Sequence, residues 1–266
     1  MAHGILGLRV MERSAFAQNL AIEIGEYLRE GFTQAHDIRR KADGSLVTEV
    51  DTEAERRIRG AIGRNFPHDA ILGEEEGGKR QLDGMTWYVD PLDGTSNYAA
   101  GVPIFAVSLA YADAEGVQGA AIVLPMTKEF FTAKRGAGAF RNGTRILMGS
   151  GGGRGKPLFL VSYAYAIQND ERISRLLALR PRPAMRLLGS TVAALGWLAA
   201  GAADAGLFFG QHAWDYAGGS LIVQEAGGRV EAISGDALTL PLDHDIVTAA
   251  ANNFHIVEEL KERIVD

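Results

Sequence analysis

Between residues 7 and 31, Val10, Phe16, Leu20, Ile24, Tyr27 and Leu28 recur at the spacing of one helix face and predict a long amphipathic helix. Polar residues take over from 33 to 46, where Lys41-Ala42-Asp43-Gly44 marks a loop or hairpin. A second helix is expected over 48–65, with Thr48 as its N-cap and Phe66-Pro67 as its stop. The apolar period then shortens. Residues 70–72 and 87–89 read as short strands, and 104–111, 117–124 and 129–133 as an antiparallel meander. Asn142-Gly143 marks a tight turn, and the glycine-rich stretch 150–155 reads as a linker. Beyond it, strands at 158–163, 184–188, 205–209, 229–233 and 246–250 alternate with helices at 170–179, 190–200, 215–226 and 252–265. That alternation is the signature of α/β layering.

The chain of 266 residues, 47% of them hydrophobic, can build a substantial core without staples. It reads as one unit with two subdomains, 1–149 and 150–266. A formal charge of −6 argues against nucleic acid as the main partner, because phosphate backbones demand a basic face. The absence of cysteine removes disulfides, thiolate nucleophiles and cysteine-based metal sites. No signal peptide is evident, and the apolar stretch 192–205 is too short to span a bilayer. A soluble, cytoplasmic protein with no membrane partner is expected.

The chemistry concentrates at strand ends. Residues 87–97 read Trp-Tyr-Val-Asp-Pro-Leu-Asp-Gly-Thr-Ser-Asn. Asp90 and Asp93 at the mouth of one strand are costly unless positive charge lies between them, and divalent cations are the economical occupants. The following Gly94-Thr95 offers backbone N–H groups to a phosphate. Glu74 and Glu75 follow another strand, and Asp215 opens a helix after a third. Such hard oxygen ligands suit Mg²⁺ or Mn²⁺ rather than zinc. Taken singly, each has a plainer reading: a solvated acidic turn for 74–76, an ordinary turn for 90–94, a helix cap for Asp215, a surface position for Asp51.

Taken together, these segments resemble the inositol monophosphatase family of Mg²⁺-dependent, lithium-sensitive phosphatases. The resemblance rests on Gly73-Glu74-Glu75, on residues 87–97, on Trp214-Asp215-Tyr216-Ala217-Gly218-Gly219 running to Glu225-Ala226-Gly227-Gly228, and on Leu46-Val47-Thr48-Glu49-Val50-Asp51. It implies a mixed α+β fold, the five-layer αβαβα sandwich shared with fructose-1,6-bisphosphatase. It also implies a homodimer that hydrolyses a small polyol or sugar phosphate by metal-activated water. By this resemblance Glu74, Asp90 and the carbonyl of Leu92 hold a first metal, and Asp90, Asp93 and Asp215 a second. A third, weaker metal rests on Glu74. Asp51 and Thr95 orient and deprotonate the water, Glu75 supports them, and the backbone of Gly94 and Thr95 cradles the phosphate.

Other positions bear on the substrate. Lys41, on the early loop, is either a solvated lysine or a group beside the metals. Gly189-Ser190-Thr191 matches the helix-start loop beside the substrate. His212 reads as a loop histidine. Inositol-specific members carry a glutamate seven residues before the aspartate of the third motif, where this chain has Phe208. A phenylalanine there cannot accept a hydroxyl hydrogen bond, and each unpaired polar group would cost about 1–3 kcal/mol. Phe208 either lines the pocket or turns into the core. Fructose-1,6-bisphosphatase, histidinol-phosphate phosphatase and nucleotide 3′-phosphatase activities are alternatives on the same scaffold. A catalytically idle regulatory protein is the alternative of a different class.

Overall fold

The computed structural model describes residues 12–34, 37–42, 44–149, 157–163, 171–178, 184–234 and 244–250, with single positions at 238, 240, 255, 258, 261 and 262. The start of the first expected helix, the linker at 150–155 and most of the closing helix lie outside the described residues.

Helix α1 spans Arg13–Gly31 and α2 spans Glu49–Asn65. Helix α2 begins where the spacing predicts. The Thr48 hydroxyl accepts from the Val50 N–H, and Asp51 reaches back to the Thr48 N–H at 2.9 Å, a reciprocal cap. The loop before it is a hairpin of β1 (Ile38–Arg40) and β2 (Leu46–Thr48).

Eight strands form the first sheet: β3 (Ala70–Gly73), β4 (Gly77–Gly78), β5 (Thr86–Asp93), β6 (Ala106–Asp113), β7 (Gly116–Leu124), β8 (Glu129–Lys134), β9 (Gly138–Arg141) and β10 (Thr144–Ile146). Their order is β10-β9-β8-β7-β6-β5-β3-β4. Only β3 and β5 pair in parallel. The Asn142-Gly143 turn thus joins two strands, β9 and β10, that the apolar pattern alone did not mark.

The period of two decides which core each side chain enters. Trp87, Val89, Val107, Leu109 and Tyr111 face α1 and α2, where Phe16 packs edge-on against Trp87 and Phe66. Tyr88, Ala106, Ala110, Ala112 and Ile122 face the other way. On that side lie α5 (Thr191–Ala199) and α6 (Ala213–Glu225). Beyond them stands a second sheet, β12-β11-β13-β15-β14, made of β11 (Leu158–Tyr163), β12 (Ala184–Leu187), β13 (Ala205–Gln211), β14 (Gly228–Ala232) and β15 (His244–Ala250). Strand β11 runs parallel to both neighbours, while β13–β15 and β15–β14 are antiparallel. Leu207 and Phe209 turn outward onto α4 (Glu171–Ala178), and Phe208 turns inward. The layers are therefore helix, sheet, helix, sheet, helix, the expected αβαβα sandwich.

Candidate metal and phosphate site

Strand β5 carries the centre of the site. Its register against β6 slips between Asp90 and Asp93, so the strand ends in an irregular Pro91-Leu92 corner rather than a clean ladder. Asp90 Oδ1 accepts from the Leu92 N–H at 3.0 Å. Its other oxygen, Oδ2, is buried with no hydrogen-bond partner. Asp93 crosses to the second half of the chain. It accepts from the Ser190 hydroxyl, from the Val192 N–H at 2.8 Å and from the Thr191 N–H at 3.3 Å, buried donors that the start of α5 leaves without helical acceptors. Asp215 sits at the third position of α6, not at its opening, and accepts from the His212 N–H at 2.8 Å. Helix α6 starts two residues earlier than the apolar pattern suggests because this return bond caps it. His212 is the residue that it caps.

Carboxylate oxygens of Asp90, Asp93 and Asp215 lie within 4.8 Å of one another. Like charges so close, with an orphaned oxygen among them, are the donor set that a hard divalent cation would satisfy. Burial is the first cause that raises the Asp90 carboxyl well above its ordinary range, reinforced by Glu74, Asp93 and Asp215. Burial also pushes Asp93 up to about 6, against the hydrogen bonds from Ser190 and the α5 backbone. The folded chain thus holds these protons more tightly than the unfolded chain, whose aspartates titrate near 4. Stability from this source is full below about pH 4 and is lost as pH rises through about 6. A cation bound there would take the protons' place, so Mg²⁺ should raise the melting temperature more at about pH 8 than at about pH 5. Thermal denaturation with and without Mg²⁺ measures this, and equal shifts at both pH values would refute it.

A second group flanks the first. The Thr95 hydroxyl lies 2.7 Å from Asp51 Oδ1 and 3.1 Å from the Leu92 carbonyl. Asp51 is wholly buried and also accepts from the Thr48 hydroxyl. Burial pushes its carboxyl up to about 6, although the bonds from Thr48 and Thr95 oppose the shift. Thr95 opens α3 (Thr95–Ala99), a short helix absent from the apolar pattern. Its cap, Gly94, has φ +93°, where a side chain would be strained, and an added Cβ would lie 3.1 Å from the carbonyls of Ile104 and Gly189. Asn97 ties α3 to the neighbouring loop, donating to the carbonyls of Ile104 and Leu188 at 2.7 Å each.

Glu74 is brought beside Asp90 by its N–H, which donates to the Val89 carbonyl at 3.1 Å. Lys41 is half-buried and paired: its ammonium lies 2.8 Å from Glu74 and 2.7 Å from Glu75. Burial alone would lower the Lys41 pKa, but the two carboxylates outweigh it and the net shift is upward. Burial pushes Glu75 up to about 7, with Glu74 adding repulsion and Lys41 opposing.

Glu55 escaped the sequence reading. It is fully buried and accepts from the N–H groups of Glu75 at 2.7 Å and Glu76 at 3.1 Å, and from Arg59 at 2.7 Å. An added Cβ on Gly73 would come within 2.2 Å of it. Its signal was available: Glu55 stands one helical turn after Asp51, on the face that buries Val50, Ala54 and Ile58.

The substrate-side residues fare differently. Ser190 caps α5 and spends its hydroxyl on Asp93. The Thr191 hydroxyl bonds Gln211 at 2.6 Å and Ser162 at 2.9 Å. Gly189 packs against the Asn97 side chain. Of the two placements open to Phe208, the structure shows the core. The ring is fully buried among the side chains of α5 and α6, so it presents no surface to a substrate.

A five-layer sandwich with this carboxylate centre fits the metal-dependent phosphomonoesterases, the class to which comparison with known proteins assigns the chain. The family model for the inositol monophosphatase family matches residues 10–265, and the chain belongs to that family. Nus factor SuhB of Pseudomonas aeruginosa is 37% identical over 217 residues, 78% of this chain and 79% of that protein. Inositol monophosphatase 2 of Rattus norvegicus is 34% identical over 235 residues, 84% of this chain and 81% of the relative. The solved IMPase of Thermotoga maritima superposes with a TM-score of 0.84 at 29% identity, covering 96% of this chain and 98% of its own. Among the described residues no helix is long and apolar enough to cross a membrane.

Proposed function

We propose that this chain is a Mg²⁺-dependent phosphatase acting on a small polyol or sugar phosphate. One observation carries the reading: the buried, partnerless Oδ2 of Asp90 beside Asp93 and Asp215. Asp90, Asp93, Asp215, Glu74 and the Leu92 carbonyl are the groups that would hold the ions. When bound, such cations supply positive charge to the phosphate oxygens and acidify water.

The remaining work falls to the chain itself. Thr95, held between Asp51 and Leu92, orients the attacking water, and Asp51 takes the proton by way of the Thr95 hydroxyl. Gly94 and Thr95 present the start of α3 to the phosphate. Ser190 and the α5 N-terminus fix Asp93, which makes Ser190 a positioning residue. Lys41 and Glu55 hold the 74–76 turn in register. Water attacks phosphorus and the alcohol leaves, with no phosphoenzyme required.

Release of phosphate from inositol 1-phosphate, fructose 1,6-bisphosphate, histidinol phosphate and a nucleoside 3′-phosphate tests the reading under Mg²⁺, with and without lithium. The polyol or sugar phosphates should show the highest kcat/KM. Equal, feeble rates on all would remove the substrate assignment. The relative named as a Nus factor supports a second reading, a regulatory protein on this scaffold. No turnover with any substrate, under Mg²⁺ or Mn²⁺, would favour that one.

A further inference from the structure

We propose that a cavity on the flank of α6, lined by none of the clustered carboxylates, is a second ligand site built for a small organic anion. The cavity measures about 250 Å³ and is bounded by Arg80, Arg135, Val117, Tyr216, Ser220 and Gln224, with Leu238 and Leu240 adding to its apolar wall.

Two features mark it as a site. The first is its charge. Arg80 is pinned by the carbonyls of Leu240 and of Asp113, the latter at 3.2 Å, and Arg135 by the carbonyl of Val117 at 2.9 Å. These partners are neutral, so they fix the guanidiniums in place without cancelling them. Glu115 also borders the cavity, yet among the described residues neither arginine forms an ion pair. Guanidiniums held in place by backbone carbonyls are preorganised for a planar acidic group.

The second feature is Ser220. It is 6% exposed, and its hydroxyl oxygen has no hydrogen-bond partner although it borders the cavity. A buried hydroxyl is rarely left unsatisfied, and a ligand atom would satisfy this one. The occupant therefore carries an acidic group for the arginines, a compact apolar body for Val117 and the leucines, and a polar atom for Ser220.

The test titrates benzoate and phenylphosphonate, a carboxylate and a non-hydrolysable phosphate mimic, into the metal-free full chain. Without cations the carboxylate centre repels anions, so binding there does not confuse the reading. Calorimetry or saturation-transfer NMR should show millimolar or tighter binding of at least one probe, and which probe wins separates carboxylate from phosphate recognition. Arg80→Gln combined with Arg135→Gln should weaken it about tenfold or more. Ser220→Leu, which fills the cavity, should abolish it. Arg135 is exposed, so Arg135→Gln alone keeps the test open if the buried variant fails to fold. Affinity unchanged in the arginine variants, or no binding of either probe by the parent chain at about 10 mM, would overturn the proposal.

Discussion

Asp93→Asn should abolish phosphate-monoester hydrolysis while leaving the chain folded. The expected loss is about a thousandfold or more, the several kcal/mol that charge stabilisation at such a site supplies. Asp93 is singled out because it belongs to both halves. It ends β5 in the first sheet and accepts three donors from the start of α5. Asparagine keeps one acceptor oxygen for those donors but turns an NH₂ group toward the others, which costs about 1–3 kcal/mol. Against that loss, the substitution removes one of three crowded carboxylates, and Asp90 is relieved of a repulsion that raises its pKa. The two effects oppose each other, so the circular dichroism spectrum should be unchanged and the metal-free melting temperature should move by only a few degrees. The Mg²⁺-induced rise in melting temperature should vanish. Full turnover in this variant would refute the assignment of the carboxylate cluster.

What could be read in the sequence, and what could not, divides along a physical line. The carboxylates were legible because their spacing is local: Asp90 and Asp93 share one strand end, and Asp215 stands in one turn of α6. The α/β layering of the second half was legible because period two and period 3.6 alternate beyond the glycine-rich stretch, whereas the five-layer sandwich followed from the family resemblance. What escaped depends on tertiary neighbours. Glu55 looks like one more charged residue on a charged helix until the 73–76 turn is laid against it. Ser190 lies in a loop that matches the substrate side of the family, but its hydroxyl goes to Asp93, a partner distant in sequence. Phe208 lies in an apolar run, Leu207-Phe208-Phe209, in which alternate residues enter different cores, and only the neighbouring layers say which one turns toward α5 and α6. Strands β9 and β10 are too short and too polar for periodicity to reveal; pairing across their turn makes them.

Asp51→Asn should lower kcat by about 10² to 10⁴ with little change in KM, the range expected on losing a positioned general base. The amide oxygen of the new side chain can still accept the Thr48 N–H, so the cap of α2 survives and the fold should too. The pH profile is the discriminating readout. A base must be deprotonated to act, and burial sets the Asp51 carboxyl at about 6 in the metal-free chain. Bound cations favour the charged form and move that value down, never up. Activity should therefore rise with pH along a limb at or below about 6, and Asp51→Asn should lose the limb along with the rate. Thr95→Ala breaks the same relay one atom earlier, and Thr95→Ser, which keeps the hydroxyl 2.7 Å from Asp51, should restore most of the activity. Because Thr95 and Asp51 move one proton between them, their losses should not add. The double variant Asp51→Asn/Thr95→Ala should be no slower than the worse single variant. Additive losses would mean that the two residues act independently, and that the hydrogen bond between them positions α3 rather than carrying the proton.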